Sequence, residues 1–221
     1  MTSDAEQRTQ TPLDIPLRQA QLPAAGRELH RTILRAFLDN GRPPERDELR
    51  SAAAGLGLDI DIALRGLAKV DLVHVDADGR VRVAYPFSGC DTGIRVRLQG
   101  GPEVDAMCAV DALGIPPMAG RDGVIVATDP QSRQPIRVES VDGRWSWQPE
   151  EAVVLYAGND DSDGTGAITA DSTCPMITFH ANAGNAVAYL ESRPDAQGKV
   201  LSRDQALEVA VKLFGDLLGS D

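Results

Sequence analysis

The spacing of apolar residues first changes near residue 70, and that change constrains the fold more than any other feature. Before it, the spacing is helical. Leu29, Ile33, Leu34, Phe37 and Leu38 recur on one face, and Asn40-Gly41 ends the run. Pro43-Pro44 opens a second predicted helix with Leu49, Ala52 and Ala53 inward, and Gly55 and Gly57 mark its turn. A third follows with Ile60, Ala63, Leu64, Leu67 and Ala68 as its core face and Asp59 as N-cap. After the change, VHVDADGRVRVAYPF alternates about Asp78-Gly79, a hairpin signal. Three helices and a two-stranded wing predict a winged-helix-like module over residues 27–88. Residues 1–26 carry Pro12, Pro16 and Pro23 without a sustained period. They predict a disordered or loosely docked lead-in, with a docking turn around Leu13–Leu17.

Residues 89–221 read as a second, α+β domain. Ile94, Val96 and Leu98 alternate with Arg95 and Arg97 as a strand, which Gly100-Gly101-Pro102 breaks. EVDAMCAVDALGIPP predicts a helix ending before Pro116. Residues 123–128, 135–141, 144–147 and 152–156 predict strands, with Asp142-Gly143 turning between the second and third. Gly158–Gly166 is rich in Asp and Gly and predicts a mobile loop. Residues 174–180 predict a strand and Asn182–Glu191 a helix. The capping box from Ser202 to Gln205 opens a last amphipathic helix with Leu207, Ala210, Leu213, Phe214 and Leu217 inward. The expected sheet is mainly antiparallel and mixed, packed with helices, and no internal repeat is visible.

Charge narrows the function classes. Residues 1–90 hold 12 basic and 13 acidic side chains, residues 91–221 hold 10 and 20, and the whole carries −11. An acidic surface repels phosphate backbones. The third helix begins with Asp59 and Asp61 and offers only Arg65 and Lys69 as cations, so a DNA-reading role is disfavoured. No apolar run approaches ~18 residues, and the first residues show no apolar stretch of the kind a secretory signal needs. Three cysteines make no disulfide framework, and a reducing, cytoplasmic setting is the expectation.

Two of those cysteines are the candidates for chemistry. Cys108 and Asp111 lie three apart on a predicted helix and share a face, and Cys174 follows the loop at the expected start of a strand. Two thiols and a carboxylate that converge make a site for a soft metal with its own proton carrier. The competing reading is inert filling, because free cysteines are among the most buried residue types. No CxxC or HxxxH pair, Walker loop or GxGxxG appears. His30, His74 and His180 are scattered. His180 could face the cavity of Cys174, although a core or surface place fits it as well. Trp145 and Trp147 share a strand face and read as a core pair or a pocket wall.

VAYPFSG, DAMCAVDALGIPPMAGR and STCPMITFHAN, in that order, resemble the organomercurial (alkylmercury) lyase family. The resemblance runs from about residue 28 to the end. It rests on Tyr85-Pro86, on Cys108-Ala109-Val110-Asp111, and on Cys174 with Phe179 and His180 after it. Three positions depart from the family pattern. Met107 stands where a tryptophan precedes the first cysteine, Pro175 stands where a vicinal cysteine is common, and VIVATDPQSRQPIRV lacks a further structural cysteine. The resemblance implies protonolysis of a carbon–mercury bond, with Cys108 and Cys174 on mercury and Asp111 carrying the proton. It implies no organic cofactor, release of Hg(II) to cellular thiols or a mercuric reductase, and no nucleic-acid or membrane partner. Three other readings stand beside it. They are a soft-metal binding protein without turnover, a regulator whose winged helix reads DNA, and a lyase-fold enzyme with another substrate.

Overall fold

A computed structural model describes residues 14–159 and 168–219. Residues 1–13 of the lead-in expected over residues 1–26, and all but the edge of the loop expected at Gly158–Gly166, lie outside the described residues. From Asp14 onward the lead-in is docked, with a short helix where the docking turn was expected. Helix α1 (Ile15–Ala20) is capped by the Asp14 side chain, which accepts from the Leu17 N–H, and it buries Ile15 and Gln19. Three longer helices follow: α2 (Ala24–Asn40), α3 (Arg46–Gly55) and α4 (Ile60–Lys69). Gly41 closes α2 at φ 72°, a left-handed conformation that suits glycine. Helix α3 starts beyond the Pro43-Pro44 pair, with Glu45 and Glu48 capping each other reciprocally. Asp59 caps α4 as expected, accepting from the Ile62 N–H.

The predicted hairpin is β1 (Val73–Val75) and β2 (Val81–Ala84). It does not stand apart as a wing. Strand β3 (Phe87–Ser88) pairs with β2 and passes the sheet on to β5 (Glu103–Ala106), then β4 (Arg95–Leu98). Between β5 and β6 lies helix α5 (Ala109–Ala119). Strands β6 (Gly123–Thr128), β7 (Pro135–Val141) and β8 (Arg144–Gln148) complete an eight-stranded sheet in the order β1-β2-β3-β5-β4-β6-β7-β8. A second sheet has β9 (Val153–Asn159) between β10 (Ile177–His180) and β11 (Ala196–Leu201). Every pairing among the described residues is antiparallel. Short helix α6 (Thr169–Ser172) precedes β10, α7 (Ala183–Glu191) follows it, and α8 (Arg203–Phe214) closes the chain. The fold is therefore α+β, with helices leading into antiparallel sheets.

Four expectations are corrected. EVDA is a strand, because Val104 and Ala106 are buried in the sheet while Glu103 and Asp105 face partly outward. The helix that follows starts at Ala109 and continues through Pro116 and Pro117. Helix α5 is buried almost all round, so packing outweighs the hydrogen bonds that two prolines remove in its last turn. Cys174 does not open a strand. It begins a 3-10 turn, Cys174–Met176, which joins α6 to β10. Residues 196–201 form a strand that no alternation announced.

One apolar core joins both halves of the chain, from Ile15 and Leu29 to Leu217. Phe37 of α2 stacks on Phe87 of β3 with ring centroids 4.8 Å apart. Helix α8 packs on α5 at Gly114, where a Cβ would stand 2.4 Å from Phe214 Cδ2. That contact presses the middle of α5 against α8 and holds the N-terminus of α5 in the core.

Candidate active site

The N-terminus of α5 builds the first half of the site. Cys108 is its N-cap, and its Sγ accepts the Asp111 N–H at 3.4 Å. The backbone is fixed just before it, where the Met107 N–H donates to the Pro86 carbonyl at 3.1 Å. Asp111 sits in the first turn and points its carboxylate back over the helix end. The second half arrives from the far sheet. The turn between α6 and β10 places the Cys174 thiol 4.0 Å from Asp111 Oδ2, where it donates a long sulfur hydrogen bond. The two sulfurs and a carboxylate oxygen all lie within 4.8 Å of one another. All three residues are buried, at 1–2% exposure.

Burial decides the protonation. It raises the Asp111 carboxyl from its ordinary range to about 7, and the hydrogen bond with Cys108 offsets only part of that rise. Burial pushes the Cys108 thiol well above its usual value, and its contacts with Cys174 and the Asp111 charge push it further. For Cys174, the hydrogen bond with Cys108 pulls its pKa down. Burial and the Asp111 charge outweigh it, and the net shift is upward. A thiolate at a helix N-terminus gains only about 0.3–1 kcal/mol from the helix dipole. That is less than the cost of an unpaired charge in this surrounding. The resting site therefore holds two thiols and a carboxyl poised near neutrality. A thiophilic cation binding both sulfurs would displace their protons, and the Asp111 carboxyl lies within 4.8 Å of both.

Two tyrosines feel the charge of this trio. Burial, then the negative charge of Cys174, Asp71 and Asp111, pushes the Tyr85 hydroxyl above its ordinary range. Tyr156 on β9 is pushed up to about 12 by burial and by the charges of Cys108, Asp111 and Cys174. Both stay neutral, and the Tyr85 hydroxyl donates to Asp71 at 3.5 Å. Tyr85 was visible in the sequence only through the Tyr-Pro pair, and Tyr156 had no signal beyond its place in an apolar strand.

The remaining candidates lie elsewhere. His180 is fully buried, 3.2 Å from Asp129, and bonds Thr178 Oγ1 at 2.9 Å, so it belongs to the core. His30 bonds Gln19 in the interior, and His74 bonds Asp71. Trp147 packs edge-on against Phe179 at 5.8 Å, and Trp145 is half-buried on the same face. Cys90 is exposed. Helix α4 begins at Asp59 with Asp61 in its first turn, and Asp61 is paired with Arg46. Among the described residues no helix is long and apolar enough to cross a membrane.

Comparison with known proteins places the fold and the family. Among solved structures, one titled "Crystal structure of the mercury-bound form of MerB2" superposes with a TM-score of 0.76 at 23% identity. The match covers 95% of this chain and 100% of that one, so the two share a fold. No curated protein matches by sequence. The family described as MerB, alkylmercury lyase, matches residues 87–215, more than half of the chain and all three residues of the buried trio. The chain belongs to the alkylmercury lyase family.

Proposed function

We propose that this protein cleaves the carbon–mercury bond of alkyl- or arylmercury compounds by protonolysis, with Cys108 and Cys174 binding mercury and Asp111 carrying the proton. One observation carries the reading: two thiols and one carboxyl, all buried, meet within 4.8 Å. Mercury is soft and prefers two sulfurs to oxygen ligands. The organomercurial enters as R–Hg–SR′. One protein thiol forms a sulfur–mercury bond, and its proton leaves on the displaced thiolate as HSR′. The second thiol gives its proton to the Asp111 carboxylate as its sulfur adds to the same mercury. Electron density then moves onto carbon. The carbon–mercury bond breaks, its electron pair takes the Asp111 proton, and R–H departs. Hg(II) remains on the two sulfurs, and Asp111 returns to its starting charge.

Each part of the site suits that sequence. A carboxyl near 7 accepts and returns a proton at neutral pH with little penalty either way. The thiols rest protonated, so the only charge the trio buries is that of Asp111 when it is ionised. Exclusion of water leaves the Asp111 proton as the one at hand when carbon becomes basic. Small thiols or an Hg(II)-accepting reductase would then clear the product, and no organic cofactor is needed. Met107 and Pro175 flank the two sulfurs, so they shape the room for the organic group.

The test uses the reduced protein, phenylmercury or methylmercury, and excess small thiol, with hydrocarbon measured in the gas phase. The reading expects multiple turnovers by the wild type and none by Cys108→Ser. Equal release by the two would overturn it. One equivalent of mercury taken up without hydrocarbon would favour a binding protein.

A further inference from the structure

Asp71 lies outside the trio, yet more donors converge on it than on any of the three. It occupies the turn after α4 with φ 52°, a left-handed conformation that Asp and Asn adopt more readily than other side chains. Its carboxylate accepts from Thr169 twice, through the backbone N–H at 3.3 Å and through Oγ1. Arg18 of α1 donates to it at 2.9 Å, and the Tyr85 hydroxyl reaches it at 3.5 Å. The His74 ring bonds it from β1 at 2.6 Å. Arg18 also donates to the Asp71 carbonyl and to Thr169 Oγ1. Five segments therefore meet at one carboxylate that is only one-fifth exposed.

The location gives this cluster its meaning. Thr169 is the first residue of α6, and α6 leads directly to Cys174. The Thr173 N–H donates to the Thr169 carbonyl at 3.0 Å, and the Met176 N–H donates to Thr173 at 2.9 Å. The backbone from Thr169 to the Cys174 turn is thus continuously bonded. The bonds from Thr169 to Asp71 tie down the N-terminal end of α6. The other side of α6 is held by Arg82 and Asp171, an exposed pair at 2.9 and 3.1 Å. Exposed pairs contribute little.

We propose that Asp71 is a positioning residue of this enzyme: by anchoring Thr169 it sets where the Cys174 sulfur stands against Cys108 and Asp111. This rests on the lyase reading for its kinetic part. The helical front of the chain thereby takes part in the reaction through Arg18, Asp71 and His74 rather than through a groove for nucleic acid. Capture of the organomercurial by Cys108 does not depend on the anchor. Closure of the second sulfur onto mercury does, and displacement of a reacting atom by ~1 Å can cost on the order of 100-fold.

The experiment compares the full-length wild type with Asp71→Asn, Thr169→Val and Arg82→Ala. Asn keeps the size of Asp71 and tolerates its backbone angle, but its amide faces hydrogen-bond donors. Val keeps the shape of Thr169 and removes only the hydroxyl. Three readouts are taken: kcat and KM for hydrocarbon release from phenylmercury, retention of mercuric ion against a competing dithiol, and the melting temperature. Asp71→Asn should lose kcat by about 10–100-fold with KM changed less than about threefold. It should also surrender mercuric ion to the dithiol sooner. Thr169→Val should move both readouts the same way by less, and the double variant should be no worse than Asp71→Asn. Arg82→Ala should leave both near wild type. If Asp71→Asn does not fold, Thr169→Val alone decides. Wild-type kcat and mercuric retention in the folded Asp71 or Thr169 variant overturn the inference, and so does an equal loss in Arg82→Ala. Absence of hydrocarbon from the wild type would instead refute the lyase reading, while mercuric retention would still decide the role of Asp71.

Discussion

Replacing Asp111 by Asn separates the acid's cost from its use. In the folded protein its carboxyl titrates near 7, whereas in the unfolded chain it titrates near the ordinary 3.8. The folded pKa is the higher one, so the native state binds the proton more tightly. Stability is then fully present below about pH 4 and is lost as pH rises toward and through 7. The whole shift amounts to several kcal/mol, of which roughly 1–2 kcal/mol is lost between pH 6 and pH 8. Asn carries no proton to lose, and the neighbouring thiols stay protonated across this range because their own pKa values are raised. Urea unfolding of the reduced wild type and Asp111→Asn at pH 6 and pH 8 reads the difference directly. The wild type should lose roughly 1–2 kcal/mol more than the variant over that interval. The variant should therefore be the more stable chain at pH 8, although it should release hydrocarbon far more slowly. Parallel losses in the two proteins would mean that Asp111 does not titrate near neutrality, and its part as a proton reservoir would go with that result.

Three further outcomes follow from the packing and the site. Mercuric ion in the presence of a competing monothiol should bind at one equivalent to the wild type and to Cys90→Ser, whose thiol is exposed, but fail to be retained by Cys108→Ser or Cys174→Ser. Gly114→Ala should destabilise the chain by about 1–3 kcal/mol, read as a lower melting temperature, because its Cβ would meet Phe214 at 2.4 Å. Turnover at saturating substrate should fall as pH drops below about 7, since a growing fraction of molecules then holds Asp111 already protonated and unable to take the second thiol's proton. A flat profile from pH 6 to pH 9 would contradict this.

The helical front was legible because its apolar period is long and its ends carry chemistry of their own. Asn40-Gly41 and Asp59 act as the sequence suggests, as do Asn182 and Ser202 further on. The back half misled where two elements adjoin without punctuation. EVDA runs into MCAVDALG with no turn residue between them, so a four-residue strand reads as the first turn of a helix. Pro116 and Pro117 signal a helix end only where the helix is weakly packed, and α5 is enclosed by the core. Strand β11, AQGKVL, has one buried side chain, Leu201, so its pairing with β9 leaves no alternation to find. At the site, the spacing of Cys108 and Asp111 is local and could be read. The approach of Cys174 depends on how the second sheet docks, and spacing does not encode it. Family resemblance supplied that link. Asp71 and Thr169 gave no signal at all, because an anchor between two turns has no period.

A single turnover without added thiol tests the central claim most directly. One equivalent of phenylmercury is mixed with reduced protein in deuterated buffer, and benzene and protein-bound mercury are both counted. The account predicts close to one benzene per wild-type chain, carrying one deuterium, with the mercury left on the protein. It predicts no benzene from Cys108→Ser or Cys174→Ser. Benzene released at the wild-type rate by either variant, or mercury that stays bound to its phenyl group in the wild type, would contradict it.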